Sequence, residues 1–372
     1  MKINKLIILF CILCSMLFSA QAQLMKEPTV DSEKRASFMI NAPVAKEVKL
    51  INLSDEMALG AKEYNFEKNS DGIWTLTTNP CRPGMHYFEI SIDGAKVTYP
   101  GSGHYFGWGR WTSMIEIPDD QLDFYLPKKV PHGEVRQHFY YSTTTQTTRK
   151  CLIYTPPGYD KNVDQKYPVL YLQHGAGESE LGWTMQGKAN FIMDNLLAEG
   201  MAKPFIIVMD NGYAPRPGAK NQLSPGGADN LFADLLTKEL IPMIDSAYRT
   251  LSDQKNRAIA GLSMGAGQAL RIGFEHPELF GSVATFSGGG KSNFEIETDY
   301  NGIFKDAIQF NNSYRLFFIG CGTLEPMYPG MKAMFESLKE HGIHAAFSAP
   351  VGSHEWQIWR VHLYDFAQLV FK

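Results

Sequence analysis

Residues 256–270 read N-R-A-I-A-G-L-S-M-G-A-G-Q-A-L, and their order decides how the rest of the chain is read. An apolar, strand-like run, Asn256–Gly261, leads into Gly261-Leu262-Ser263-Met264-Gly265, and a helical pattern follows. This is the only G-x-S-x-G in the chain. Glycines on either side of a serine fit a tight strand-to-helix turn, where a Cβ would collide and the hydroxyl is lifted above a sheet edge. Outward from this point the same alternation repeats. Strand-like runs at 149–156, 167–173, 204–210, 282–287 and 315–320 alternate with helical stretches at 189–200, 231–248, 267–280 and 331–342, two of them closed by Gly200 and Gly342. Such alternation predicts an α/β fold, a mostly parallel sheet covered by helices.

A serine hydroxyl is a poor nucleophile at neutral pH and needs a base. His354 is the candidate, in the loop Pro350-Val351-Gly352-Ser353-His354-Glu355-Trp356 near the C-terminus. The base in turn needs a carboxylate that holds its tautomer and offsets its charge, expected after a strand that follows the serine. Glu325, in Cys321-Gly322-Thr323-Leu324-Glu325-Pro326, is the carboxylate at the end of the run 315–320. Asp210 also ends a strand-like run but precedes the serine. Acyl transfer further requires N–H donors for a tetrahedral oxyanion. Met264 supplies one, and the loop Gln173-His174-Gly175-Ala176-Gly177 supplies another from Gly175 or Ala176.

Before this region, from about 27 to 126, the sequence changes character. Short strand-like pieces at 36–40, 47–53, 71–78 and 86–99 are separated by turn dipeptides such as Asp71-Gly72 and Asp93-Gly94, which predicts a small all-β sandwich. Residues 127–132, between Pro127 and Pro131, read as a linker, so that 23–126 and 133–372 form two domains. The N-terminus carries Lys2 and Lys5, an apolar run and small residues at Ala20 and Ala22; 1–22 read as a signal peptide, predicting an exported protein, periplasmic or secreted. Beyond it remain Cys81, Cys151 and Cys321, an odd number that makes no disulfide framework. A 372-residue chain with 44% hydrophobic residues, 20% charged residues and a net charge of −4 lacks the basic footprint of a nucleic-acid or anionic-membrane binder. No metal constellation is apparent, and we expect no metal and no cofactor.

The stretches 154–162, 167–183, 189–213, 248–270 and 352–360 resemble the esterase D-like α/β-hydrolases, and within them carbohydrate esterase family 1, which contains feruloyl and acetylxylan esterases. The resemblance covers 133–372 and implies Ser263 as nucleophile, Glu325 as acid and His354 as base. It departs from the family pattern in having glutamate where aspartate is more usual. Residues 41–50, 71–78 and 84–94 are similar to immunoglobulin-like early-set domains related to family 48 carbohydrate-binding modules.

The resemblance implies a serine esterase that removes feruloyl groups from xylan-type saccharides through an acyl-enzyme. The alternatives are an acetylxylan esterase, a siderophore esterase of the enterochelin type, and a carbohydrate-binding protein with an idle triad. A feruloyl site needs an apolar slot for the aromatic acyl group. Trp183, Tyr213, Tyr328 and Trp356 stand in loops at the expected catalytic edge and are the candidates to line it. Trp74, Trp108 and Trp111 in the β region are candidates for sugar stacking or for core, and the glycine-rich run 99–111 could extend to the active-site mouth.

Overall fold

The computed structural model describes residues 27–55, 57–220, 230–291 and 293–372. The expected signal peptide lies outside the described residues. The chain divides into two compact units: one takes the chain up to Tyr105 together with Trp111–Asp120, the other takes Phe106–Arg110 together with Gln121–Lys372.

The first unit is built on two antiparallel sheets. Arg35–Asn41 alternates strictly between buried and partly exposed residues, the period of a strand with one face on a core. Strands Gly84–Ile92 and Ala95–Val97 are joined by Asp93-Gly94, both with positive φ (50° and 85°), the backbone that a two-residue hairpin needs. Phe38 meets Phe88 and Tyr99 edge-on in the core, at ring separations of 5.2 and 5.6 Å. Trp74 belongs to this core, with its indole N–H donated to the Ala42 carbonyl.

The second unit carries an eight-stranded sheet. Its strands are β1 Glu134–Ser142, β2 Thr147–Thr155, β3 Val169–Gln173, β4 Ile206–Asp210, β5 Arg257–Leu262, β6 Ser282–Phe286, β7 Leu316–Gly320 and β8 Ala345–Ser348. They lie in the order β1-β2-β4-β3-β5-β6-β7-β8. β1 and β2 run antiparallel to their neighbours, and all pairings from β4 through β8 are parallel. β3, β4, β5 and β6 are buried at every position, as strands covered on both faces must be. The principal helices are α1 Ala189–Ala198, α2 Met264–Glu275, α3 Tyr328–Glu340 and α4 Trp356–Ala367. The helical run expected over 231–248 forms over Phe232–Ala247, with a π turn at Leu236–Leu240. Pro242 follows closely; it has no N–H to donate and its ring crowds the carbonyl four residues back, which favours such a turn.

The division between units falls earlier than the prolines of 127–132 suggest. Asn195 on α1 donates to the carbonyls of Phe124 and Leu126, and the Phe124 ring packs on Tyr364 of α4. His132 and the Gly133 amide are bound to the Asp194 carboxylate. The stretch from Gln121 onward is therefore fastened to the second unit rather than spanning a gap. Cys81, Cys151 and Cys321 are all buried and unbridged, and no helix among the described residues is long and apolar enough to cross a membrane.

Candidate active site

β5 delivers the chain to Ser263, which holds φ 51° and ψ −112°, a backbone region that costs a non-glycine residue about 1–3 kcal/mol. The surroundings over-determine it. The Ser263 N–H donates to the Phe286 carbonyl at 2.9 Å, and its own carbonyl accepts from Ala266 as α2 begins. A Cβ on Gly261 would lie 2.3 Å from the Gly265 carbonyl oxygen, and one on Gly265 would lie 2.5 Å from that of His174. Both flanking glycines are thus required by close backbone approach.

The chain returns to this serine twice. After β7, the turn at Gly322–Glu325 closes through Glu325 N–H to Gly322 O, and after β8 the loop 350–352 runs beside it. The two loops are stitched by N–H donors from Thr323 to Pro350 O and from Leu324 to Gly352 O, at 2.9 and 3.0 Å. This brings His354 Nε2 to 2.9 Å from Ser263 Oγ and His354 Nδ1 to 2.6 Å from Glu325 Oε2. A carboxylate accepts, so Nδ1 carries the proton and Nε2 is left to accept from the serine hydroxyl. The His354 ring is held edge-on against Trp359, 5.0 Å away.

Glu325 is 3% exposed. Burial by itself raises its pKa, but hydrogen bonds from His354, Ser287 and the Gly322 amide outweigh this and hold it below the ordinary carboxylate value. Next to it, burial drives the Cys321 thiol up to about 12, reinforced by the Glu325 charge, so this cysteine stays protonated and inert. Asp210 lies elsewhere. It is buried at the end of β4 in an ion pair with Arg149 at 2.7 Å and accepts the Tyr140 hydroxyl.

The loop after β3 closes the site from the other side. A Cβ on Gly175 would lie 3.6 Å from the Ser263 Cβ, and the amides of Met264, Gly175 and Ala176 have no protein acceptor among the described residues. This loop is fixed from beneath by His174. Its Nε2 accepts the Gly212 N–H at 2.9 Å, which leaves Nδ1–H to donate to Gly175 O at 2.8 Å. Burial lowers the His174 pKa, consistent with a neutral ring in this role. Further along, the Gly177 N–H donates to the Tyr213 hydroxyl and the Gly177 carbonyl accepts from the Gly109 amide at 2.7 Å. Trp108, at φ 57°, lies against Gly177 with its side chain 60% exposed.

Of the four aromatics expected to line an acyl slot, Trp183, Trp356 and Tyr213 are buried and Tyr328 is half-buried. Trp183 and Trp356 are each 1% exposed and pack edge-on against each other at 5.4 Å. The Trp183 indole donates to Gln173 O and that of Trp356 to the Glu178 carboxylate, so both brace the loops that carry the site. Tyr213 is buried and anchors the Gly177 amide, and Tyr328 stacks on Phe347 at the start of α3. Loop position is visible in a sequence; the side on which a large ring finds cover is decided by packing. Leu324, next to Glu325 in the chain, and Val351, three residues before His354, are exposed. Trp183→Ala is accordingly expected to remove about 3–5 kcal/mol of stability in urea unfolding, as loss of a fully buried aromatic should.

The sheet order, the strained serine at the end of β5 and the loops that meet over it define an α/β-hydrolase. The esterase family model described as "Putative esterase" matches residues 142–305. The endo-1,4-beta-xylanase/feruloyl esterase of Xylanibacter ruminicola is 39% identical over 93% of this chain and 46% of its own length. The chain spans about half the length of the curated relatives it matches. Among solved structures, the CE1 ferulic acid esterase of Anaeromyces mucronatus is 30% identical, with a TM-score of 0.55 over 67% of this chain and 96% of that one. The enterobactin esterase of Shigella flexneri, 16% identical, shares the fold over 94% of this chain with a TM-score of 0.66. The chain belongs to the CE1 esterase family.

Proposed function

We propose that the protein is a serine carboxylic-ester hydrolase that removes feruloyl groups from xylan-type saccharides. The observation that carries this reading is the continuous hydrogen-bonded relay from Ser263 Oγ through His354 to Glu325, at 2.9 and 2.6 Å. In this reading His354 Nε2 takes the serine proton as Oγ attacks the ester carbonyl. The oxyanion is received by the amides of Met264 and the Gly175–Ala176 segment, and Glu325 offsets the imidazolium charge. Collapse releases the sugar alcohol, which takes the proton from His354, and leaves feruloyl-Ser263. Water, deprotonated by His354, then attacks the acyl carbonyl and frees ferulate and the serine.

The choice of acyl group rests on the relatives: the Xylanibacter protein and the Anaeromyces enzyme are both described as feruloyl or ferulic acid esterases. An aromatic acyl group offers far more apolar surface for burial than a methyl. Burying a ring of that size is worth about 1.5–3 kcal/mol, so kcat/KM for methyl ferulate should exceed that for an acetylated xylo-oligosaccharide by about ten- to a hundredfold. Turnover of methyl ferulate, acetylated xylan and a catecholate siderophore, measured side by side, tests this. A preference for acetyl would make the protein an acetylxylan esterase, a preference for the siderophore an enterochelin-type esterase, and inactivity on all three a carbohydrate-binding relative. The N-terminal features support export, and the β unit is read as an early-set domain like those that precede such esterases.

A further inference from the structure

We infer that Ser287 is a positioning residue for the acid of the relay, and that its hydroxyl is what allows a glutamate to serve there. The inference rests on the triad reading above. Ser287 is the first residue after β6, fully buried, and it holds φ 53°, a left-handed conformation in a residue that is not glycine. Its backbone is pinned by its own N–H to Gly320 O at 2.7 Å. From there Oγ donates to Glu325 Oε1 at 2.6 Å, and the Gly322 amide donates to the same oxygen at 2.7 Å. The other oxygen, Oε2, accepts from His354 Nδ1 at 2.6 Å.

A glutamate carboxyl turns about one more torsion than that of an aspartate, so a single hydrogen bond to the imidazole does not fix its plane. Two donors on Oε1 do. They set the carboxylate so that Oε2 faces Nδ1, and they supply the hydrogen bonds that a buried carboxylate needs to stay ionised. The next residue ties this support to the nucleophile: a Cβ on Gly288 would lie 2.4 Å from the Ser263 carbonyl oxygen, so the turn that aims Ser287 is also the wall of the elbow.

The test is a double-mutant cycle on methyl ferulate hydrolysis with Ser287→Ala and Ser287→Gly, each alone and combined with Glu325→Ala. Loss of one hydrogen bond to a charged group should lower kcat about tenfold with KM within about twofold. Alanine and glycine should behave alike although glycine relieves the left-handed backbone, because both lack the hydroxyl. In the Glu325→Ala background the further loss should be under about twofold, since the carboxylate that Ser287 serves is gone. The inference is overturned by near wild-type kcat in both single variants, by an effect confined to KM, by activities that follow thermal stability rather than the hydroxyl, or by the same tenfold loss without Glu325. Ser263→Ala, assayed in parallel, separates the two claims. If it retains turnover the triad reading itself falls; if it is dead while Ser287→Ala is fully active, only the role of Ser287 falls.

Discussion

Ser263→Ala and His354→Ala should each reduce kcat on the best ester substrate by about 10⁵- to 10⁶-fold, and the double variant should be little worse than either. The hydroxyl is a nucleophile only while Nε2, 2.9 Å away, takes its proton, so loss of either atom removes the whole acyl-transfer route. What remains is the electrostatic contribution of the oxyanion amides and substrate binding. Stability should change little. Ser263 is only half-buried and His354 projects to the surface, and the elbow is held by backbone hydrogen bonds that alanine retains. Single-turnover and steady-state kinetics, with circular dichroism to establish folding, check this. Turnover near wild type in either variant would remove the residue from the mechanism.

Glu325→Gln should lower kcat by about 10³- to 10⁴-fold with KM nearly unchanged. An amide at this position can still be accommodated, but it carries no charge to offset the imidazolium that forms as Ser263 attacks. It also presents an N–H₂ where the buried site offers donors. The Ser287 hydroxyl and Gly322 amide both point at Oε1, so either the amide nitrogen meets a donor there or it turns to face Nδ1 and favours the wrong tautomer of His354. Asp210→Asn serves as the comparison. That carboxylate is occupied by Arg149 and Tyr140, so its removal should act on stability rather than on the proton relay. Normal kcat in Glu325→Gln combined with a crippled Asp210→Asn would move the acid to β4.

Much of the second unit was legible because its signals are local. The elbow is written in five consecutive residues, since the turn itself demands a glycine on each side of Ser263, and the alternation of apolar runs with helical stretches follows from a sheet covered on both faces. His354 and Glu325 were legible by order: loops after successive parallel strands open at the same sheet edge, so a histidine after β8 and a carboxylate after β7 arrive near a serine after β5. Cover is not local. Trp183 and Trp356 read as loop residues in the sequence, and only the folded chain shows that they stand on helical turns and pack edge-on against each other. Ser287 is less legible, because it stands in no motif and follows no order rule that would bring it to Glu325. Its signal is the serine that ends the β6 run immediately before Gly288-Gly289-Gly290, on the strand next to the nucleophile's own. The stretch 121–126 reads as the tail of the β region, yet Asn195 fastens it to the second unit through backbone carbonyls that carry no sequence signature.

The reading of Ser263 as the nucleophile of an ester hydrolase is tested most directly with a phosphonate analogue of methyl ferulate, whose tetrahedral phosphorus traps an attacking serine without a deacylation step. One equivalent should abolish methyl ferulate turnover, and peptide mass spectrometry should find the phosphonyl group on Ser263 at a stoichiometry equal to the activity lost, with no labelling of Ser263→Ala. Inactivation with the label on another residue, or full turnover by protein whose Ser263 is quantitatively labelled, would contradict the account.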